Sequence, residues 1–193
     1  MMKRITLAER PIGAPEEKNF RLEEIKIPKP KNGEVLVEIH YMSLDPYMRG
    51  RMDDGKSYAK PVEIGETMEG GAVGLVIASK SKIFNVNDHV FGQLGWATHA
   101  CAKDTELRKL DPTLAPITTS LGVLGMPGFT GWYGLTQLGR PKKGETLVVG
   151  AATGPVGSMV GQIAKSKGLQ TIGVAGGAEK CMLAKKKNLV SII

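Results

Sequence analysis

The chain has 193 residues, an apolar content of 41% and a formal charge of +7, from 26 lysine or arginine and 19 aspartate or glutamate residues. These values are typical of a globular protein of one or two domains and exclude a collagen-like chain, a disulfide scaffold and a long disordered tail. The two cysteines cannot build a disulfide framework, no run of about 18 apolar residues occurs, and the N-terminus lacks an apolar signal region. We therefore predict a cytoplasmic protein without a membrane partner.

Short strands separated by glycine and proline fill the first 110 or so residues. In Phe20–Ile27 and Gly33–Met42 the residues alternate, and in the second of these apolar residues alternate with charged ones, which is typical of a half-buried antiparallel strand. Two further strand candidates are Gly71–Ala78 and the region Val86–Phe91. Together they predict a barrel-like β domain.

The composition changes at Ser120, where a run of small and apolar residues begins. We predict that the run Leu121–Leu135 is helical and tightly packed. The junction between two domains is placed here, so that the predicted domains are residues 1–120 and 121–193.

A second pattern occupies the part of the chain after Gly144. Thr146–Val149 and Thr171–Val174 are short, apolar and rich in β-branched residues, which predicts two strands buried on both faces. Between them, apolar residues recur at helical spacing: Val156, Met159, Val160, Ile163 and Ala164. The result is a strand–turn–helix–strand unit of about 30 residues, the context that a dinucleotide-binding fingerprint requires.

The turn of this unit is close to the pattern G-x-G-x-x-G. Ala152 stands in place of the first glycine, while Gly154 and Gly157 supply the other two. A glycine at the second position lets the backbone approach a pyrophosphate, and one at the third lets the helix pack close to the strand. The predicted phosphate-binding residues are Ala152, Thr153, Gly154, Pro155, Val156 and Gly157. The alternative is a tight turn that binds nothing.

The end of the second strand favours NADP over NAD. An NAD-selective site places an acid here to bind the ribose 2′-hydroxyl, but this strand ends in Ala175–Gly177 and the first acid is Glu179. Gly176 and Lys180 are therefore predicted cofactor-binding residues, with Lys180 pairing with a 2′-phosphate. If the cofactor prediction fails, Lys180 is a solvated lysine at a helix start.

The net positive charge does not predict a nucleic-acid partner. A nucleic-acid-binding face combines basic residues with aromatic ones, whereas no aromatic residue occurs from Leu135 onward. The charge is better explained by a cofactor site that favours anions and by solvated lysines.

Three motifs carry a resemblance to a known family: Ser43–Met52, Leu121–Thr130 and Ala151–Gly157. In this order they resemble the zinc-independent medium-chain dehydrogenases/reductases, most closely the branch of curcumin, prostaglandin and alkenal reductases. The resemblance extends to about Lys186. It implies an N-terminal GroES-like β-barrel domain followed by a partial Rossmann domain, which is doubly wound and parallel.

The resemblance also implies an activity. Members of this branch use NADPH to reduce the C=C bond of α,β-unsaturated ketones and aldehydes. Hydride goes to the β-carbon, the enolate oxygen is stabilised, and the α-carbon is then protonated. A small-molecule enone substrate and a homodimer are expected on the same basis.

Several residues acquire expected roles from the resemblance. Tyr47 is the expected hydrogen-bond donor beside the substrate, although by itself it could equally anchor a loop. Met126 and Thr130 match positions that contact the nicotinamide half of the cofactor, although alone Met126 could fill a core and Thr130 could cap a helix. For Arg49 and Arg51, structural ion pairs are expected rather than contacts with ligands.

A zinc site is not expected. Zinc-dependent members of the superfamily place a cysteine and a histidine where this chain has Ser43–Pro46 and Met68–Gly70. The spacing His99-x-Cys101 is better explained by alternating residues of a strand, and the remaining histidines do not form a cluster at ligand spacing.

The end of the sequence departs from the family. A doubly wound domain has about six strands, and only two are recognised here. One possible set of codons for Lys187–Ile192 encodes a different peptide when the reading frame is shifted by two bases. That peptide is Glu-Leu-Gly-Phe-Asp, which is typical of relatives at this place. We therefore hypothesise a frameshift that yields a truncated, aggregation-prone chain with weak NADPH binding and little turnover. The alternative to a frameshift is a deliberately short or incompletely recorded chain. The alternative function is a non-catalytic interaction module formed by the β domain, or an inert remnant.

Overall fold

The computed structural model describes residues 1–187. Residues 188–193, which contain most of the segment behind the frameshift hypothesis, lie outside the described residues. The chain divides into two compact units, Met1–Thr118 and a second unit that begins at Thr119. Among the described helices, none is long and apolar enough to span a bilayer.

The first unit contains seven strands in two sheets. An antiparallel ribbon pairs β1 (Met2–Leu7) with β2 (Phe20–Ile25). The second sheet is antiparallel and has the order β6-β3-β4-β5-β7. Its strands are β3 (Glu34–Met42), β4 (Gly71–Ser79), β5 (His89–Gln93), β6 (His99–Lys103) and β7 (Arg108–Leu110). The predicted strands at 20–27, 33–42 and 71–78 are thereby confirmed.

Helical segments connect the strands of the first unit. The α-helix α1 (Tyr47–Arg51) lies between β3 and β4. Short 3₁₀ helices occur at Glu17–Asn19 and Asp104–Glu106, and a third, Ile117–Leu121, contains the division between the two units.

Alternation within the strands builds the main core of the first unit. Val35 and Val37 on β3 point to the same side of the sheet, because side chains alternate along a strand, and both are fully buried. They pack with Ala72 and Val76 of β4 and with Val90 of β5. A second cluster contains Met52, the residue that directly follows α1. Its other buried members are Leu7, Val62 and Met68, and Phe20 and Trp96 pack against it.

The predicted strand at 86–91 begins later than expected. Val86 lies in a turn, and β5 starts at His89. Asn87 adopts a left-handed conformation with φ 74°, and the Asp88 side chain accepts a hydrogen bond from the Asn85 N–H at 2.9 Å. The turn therefore delays the start of the extended backbone until His89, which the apolar character of Val86 did not indicate.

The second unit is built on one parallel strand pair. Its elements are α2 (Met126–Tyr133), a π-helical segment (Gly134–Gly139), β8 (Thr146–Val149), α3 (Pro155–Ser166), β9 (Gln170–Gly173) and α4 (Ala178–Lys186). β8 and β9 pair in parallel, and α3 makes the crossover between them. This confirms the predicted strand–helix–strand order. In the run 121–135, the α-helix begins only at Met126.

The prediction that both of these strands are buried on two faces is wrong. Leu147 and Val149 pack against residues of α3 and α4, whereas Val148 is 62% exposed and Val174 is 55% exposed. Because neighbouring side chains on a strand point to opposite faces, one face of the pair contacts the helices and the other is open within residues 119–187. An apolar β-branched run does not distinguish these two situations.

The Asp88 carboxylate gives the first unit a measurable pH dependence. Lys109 Nζ lies 2.7 Å from Asp88 Oδ1, and this hydrogen bond together with that from the Asn85 N–H lowers the pKa of Asp88. A carboxyl whose pKa is lowered by folding stabilises the native state above its unfolded pKa, and the contribution disappears as the pH falls through the folded pKa.

We therefore expect Asp88→Asn to lower the free energy of unfolding by about 1 kcal/mol at neutral pH. The difference from the parent should vanish in acid, below the pKa values of Asp88. Urea unfolding at several pH values measures it. The control is Asp54→Asn, because Asp54 is well exposed; a loss equal in both variants, or one independent of pH, would contradict the assignment.

Candidate functional site

The turn after β8 has a fixed backbone. Ala151 adopts a left-handed conformation with φ 46°, and its carbonyl accepts a hydrogen bond from the Gly154 N–H at 2.8 Å. The Ala152 N–H donates to the Val174 carbonyl at 3.1 Å, and the Ala152 side chain is fully buried. The turn is therefore tied both to itself and to the residue that follows β9.

Gly157 allows α3 to begin directly against this turn. A Cβ added to Gly157 would clash with the carbonyl oxygen of Ala151 and lie 3.0 Å from Ala152 Cα. A Cβ on Gly154 would lie 3.2 Å from the same carbonyl oxygen. At Gly157 the backbone thus packs too closely for a larger residue, whereas at Gly154 the contact would be tight but could be relieved by a small shift.

The start of α3 is suited to an anion. Gly154 is the N-cap residue in an extended conformation, no side chain caps the helix, and Pro155 fills its first position. The first N–H groups of an α-helix lack intrahelical acceptors, and the helix dipole is positive at this end. A phosphate could accept hydrogen bonds from these N–H groups.

The end of β9 lies at the same edge of the sheet. Val149 pairs with Gly173, so the carboxyl ends of both parallel strands are adjacent. The following Gly177 has φ 86° and forms the N-cap of α4. A Cβ added to Gly176 would meet nothing within 4 Å, so the space beside its backbone is open.

Lys180 is the cationic side chain in this region. It is exposed in the first turn of α4, and among residues 1–187 no carboxylate pairs with it. A phosphate near this helix start would find a lysine without a competing acidic partner, which fits the predicted preference for a 2′-phosphate.

Met126 and Thr130 lie one turn apart on α2. Met126 is 49% exposed and Thr130 is exposed inside the helix, so within residues 1–187 Met126 does not fill a core and Thr130 is not the N-cap residue of α2. α2 packs directly beside the first turn of α3, since a Cβ on Gly131 would lie 3.2 Å from the Val156 carbonyl oxygen. The second unit therefore brings α2 close to the glycine-rich turn.

Tyr47 belongs to the first unit and opens α1. The Asp45 carbonyl accepts a hydrogen bond from the Met48 N–H at 3.0 Å, and Pro46 already has helical backbone angles, so the helix begins at Tyr47. Met48 is buried, whereas Tyr47 is half-buried. The helix is thus held by its apolar side while Tyr47 stays accessible.

The charges around Tyr47 favour the neutral phenol. Burial raises the pKa of Tyr47, the carboxylates of Glu69 and Asp45 raise this pKa further, and the Arg51 guanidinium opposes them. Near neutral pH the phenol therefore keeps its proton and can donate a hydrogen bond.

The two arginines of α1 form ion pairs, as expected. Arg49 Nη1 lies 2.7 Å from Asp53 Oδ1, and its guanidinium also donates to the carbonyls of Pro11 and Gly13. The Arg51 guanidinium donates to the Glu69 carboxylate.

Glu69 and Tyr58 are neighbours of this site that the sequence did not reveal. Arg51 Cζ lies 5.5 Å from the Tyr47 ring centroid and 4.6 Å from that of Tyr58. The spacing of Tyr47 and Arg51, four residues apart on a helix, could have indicated their contact. Glu69 is 18 residues from Arg51, and no local pattern predicts that pairing.

The two positions where zinc-dependent members have a cysteine and a histidine are occupied by other residues here. Ser43 Oγ donates to Asp45 Oδ2 at 2.6 Å, and Met68 is fully buried. Within residues 1–187, no group of three or more histidine, cysteine, aspartate or glutamate side chains could hold a metal ion.

Comparison with known proteins identifies the family. Residues 3–110 match the family described as the N-terminal domain of oxidoreductase. The chain belongs to the medium-chain dehydrogenase/reductase family. The matched proteins include members with a GroES-like N-terminal domain, and the resemblance stated from the sequence is confirmed.

The similar proteins include reductases of the expected branch. The NADPH-dependent curcumin reductase of Escherichia coli is 53% identical over 93% of this chain and 52% of its own length. Prostaglandin reductase 1 of Rattus norvegicus is 42% identical over 90% of this chain and 52% of its own length. The crystal structure of CurA from Vibrio vulnificus in complex with NADPH is similar with a TM-score of 0.93 and 51% identity, over 98% of this chain and 56% of that one. The chain spans about half the length of the curated relatives it matches.

A substitution at Gly157 tests the close approach of α3 to the turn. Because its Cβ would meet backbone atoms of Ala151 and Ala152, which cannot rotate away, Gly157→Ala should lower the free energy of unfolding by about 1–3 kcal/mol. Urea unfolding followed by circular dichroism measures this loss.

The matched control is Gly150→Ala in the same turn. A Cβ on Gly150 would meet nothing within 4 Å, so we expect a change within about 0.5 kcal/mol. Equal stability of both variants would show that α3 does not depend on the missing side chain of Gly157.

Proposed function

We propose that this protein is an NADPH-dependent oxidoreductase that reduces the C=C bond of α,β-unsaturated ketones and aldehydes. The observation that carries the proposal is the glycine turn at the start of α3, adjacent to a strand end that lacks an acid and is followed by Lys180. The names of the curcumin and prostaglandin reductases support the reaction class.

The proposed domain assignment follows the two units. Residues 1–120 would form a GroES-like β-barrel, and residues 121–193 the first part of a doubly wound Rossmann domain. Support comes from the five-stranded antiparallel sheet in the first unit and from the parallel strand–helix–strand arrangement in the second.

The proposed cofactor site has three parts. Residues Ala152–Gly157 would bind the pyrophosphate, since the helix start offers N–H groups and lacks a side-chain cap. Gly176 and Lys180 would accept the 2′-phosphate, because the first is open beside its backbone and the second is an exposed cation. Met126 and Thr130 would contact the nicotinamide half.

The reaction needs a hydride donor and an electrophilic partner for the carbonyl. NADPH, when bound, supplies the hydride for the β-carbon. Tyr47 would donate its phenolic proton in a hydrogen bond to the substrate carbonyl oxygen, which strengthens as negative charge develops there. The neutral state of Tyr47 suits this role, and no zinc is required in the proposal.

The alternative is a non-catalytic interaction module. In this alternative the β domain of the first unit, which has its own apolar core at Val35, Val37 and Val76, would act as the module. The homodimer and the cytoplasmic location also stay proposals, the first resting on the family resemblance and the second on composition.

NADPH oxidation with an aryl enone separates the two functions. The protein should oxidise NADPH only when the enone is present, with the Escherichia coli reductase assayed beside it as the positive control. Tyr47→Phe should lower kcat by about 100-fold, since it removes one donor to the developing negative charge.

Tyr41→Phe is the matched control, because Tyr41 is an exposed residue of β3 that also loses only a hydroxyl. It should leave kcat unchanged. An absence of enone-dependent oxidation by the parent chain would support the interaction module instead, and equal rates for Tyr47→Phe and the parent would remove Tyr47 from the proposal.

A further inference from the structure

Arg51 occupies an unusual place between aromatic rings. Its side chain is only 8% exposed, although it lies on a five-residue helix at the surface of the first unit. The guanidinium faces the rings of Tyr47 and Tyr58, and it is held by the Glu69 carboxylate. Tyr58, in contrast, is 85% exposed.

Arg49 shows what an ordinary anchoring arginine does on the same helix. Its guanidinium donates to the backbone carbonyls of Pro11 and Gly13 and pairs with Asp53, so it ties α1 to a neighbouring loop. The Arg51 guanidinium contacts side chains instead: two phenol rings and one carboxylate. A planar guanidinium that stacks on aromatic faces restricts how those rings rotate.

We propose that Arg51, held by Glu69, is a positioning residue that fixes the ring of Tyr47 and joins it to Tyr58. This inference rests on the proposed function, in which the hydroxyl of Tyr47 donates a hydrogen bond to the substrate. Arg51 would keep that hydroxyl in a constant orientation. Tyr58 would be an exposed second phenol held by the same cation. Glu69 acts one step further away, by orienting the guanidinium.

The groups that face Tyr47 make the arrangement measurable. They are Glu69, Asp45, Arg51 and Tyr58, and their charges act on the pKa of Tyr47 in opposite directions. Removal of the Glu69 charge should lower the pKa of Tyr47, because a negative neighbour is lost and Arg51 remains. Removal of the Arg51 charge should raise it.

The experiment is an NMR titration of the chain with ring-labelled tyrosine. The sequence contains four tyrosines, so each phenol can be assigned by its Tyr→Phe variant and followed separately. In Glu69→Gln the Tyr47 midpoint should move to lower pH, and in Arg51→Met to higher pH. Arg51→Met should also change the ring signals of both Tyr47 and Tyr58 at neutral pH, while those of Tyr41 and Tyr133 stay in place.

Asp53→Asn is the matched control, since it removes the acid partner of the other arginine on the same helix. It should move none of the four midpoints. If Tyr47 titrates identically in all three variants, or if Tyr41 and Tyr133 shift as much as Tyr47, Arg51 does not position Tyr47 and the proposal is wrong.

Arg51→Lys covers the case in which Arg51→Met does not fold. It keeps the positive charge but loses the planar face, so the Tyr47 midpoint should stay near that of the parent while the ring signals change. In the enone assay it should lower kcat by about 10-fold and leave KM within about 2-fold. Unchanged ring signals and unchanged kcat would overturn the proposal.

The two proposals fail in different ways. The titration requires neither NADPH nor turnover, so its negative result overturns the role of Arg51 alone. A parent chain that does not oxidise NADPH with an enone overturns the proposed function instead.

Discussion

The close approach of two backbone segments, at Gly157 and Ala151, is the constraint on which the second unit depends. The carbonyl of Ala151 fills the space that a side chain at Gly157 would need. Because α3 can therefore begin directly behind β8, its N–H groups point to the edge where β8 and β9 both end. The start of α3 beside the turn depends on this packing, and in our proposal so does the phosphate-binding site.

In the first unit, the short helix α1 holds the half-buried ring of Tyr47. The apolar residues Met48 and Met52 hold α1 on one side. On the other, the charges of Arg51 and Glu69 balance each other beside Tyr47. A single buried arginine without its acid would be costly, since an unpaired charge is poorly solvated there. The pair permits a cation to lie among aromatic rings.

Much of the fold could be predicted from local pattern. The alternation of apolar and charged residues predicted β3, the short apolar run at 71–78 predicted β4, and the spacing of Gly154 and Gly157 predicted the turn and the start of α3. These patterns are local consequences of side-chain direction and of the space that glycine leaves. The late start of β5 was missed because Asn87 and the Asp88 side chain decide that turn, not the hydrophobicity of Val86.

Features that depend on distant residues could not be predicted in this way. The pairing of Arg51 with Glu69 joins segments that no periodicity connects, and the exposure of Val148 depends on which elements pack against the sheet. Family resemblance gave Tyr47 its expected role, which stays a prediction, yet it did not show which charges surround the phenol. The sequence therefore indicated which side chains could take part in a reaction, whereas it did not indicate the neighbouring charges and packing that affect them.

The most direct test of the account is the affinity of the chain for NADPH compared with NADH, measured by isothermal titration calorimetry at one salt concentration. The account predicts that NADPH binds more tightly and that Lys180→Met removes the difference. Lys165→Met, an exposed lysine at the other end of α3, should leave the difference intact. Equal affinity for both nucleotides, or a preference that survives Lys180→Met, would contradict the assignment of the 2′-phosphate to this strand end.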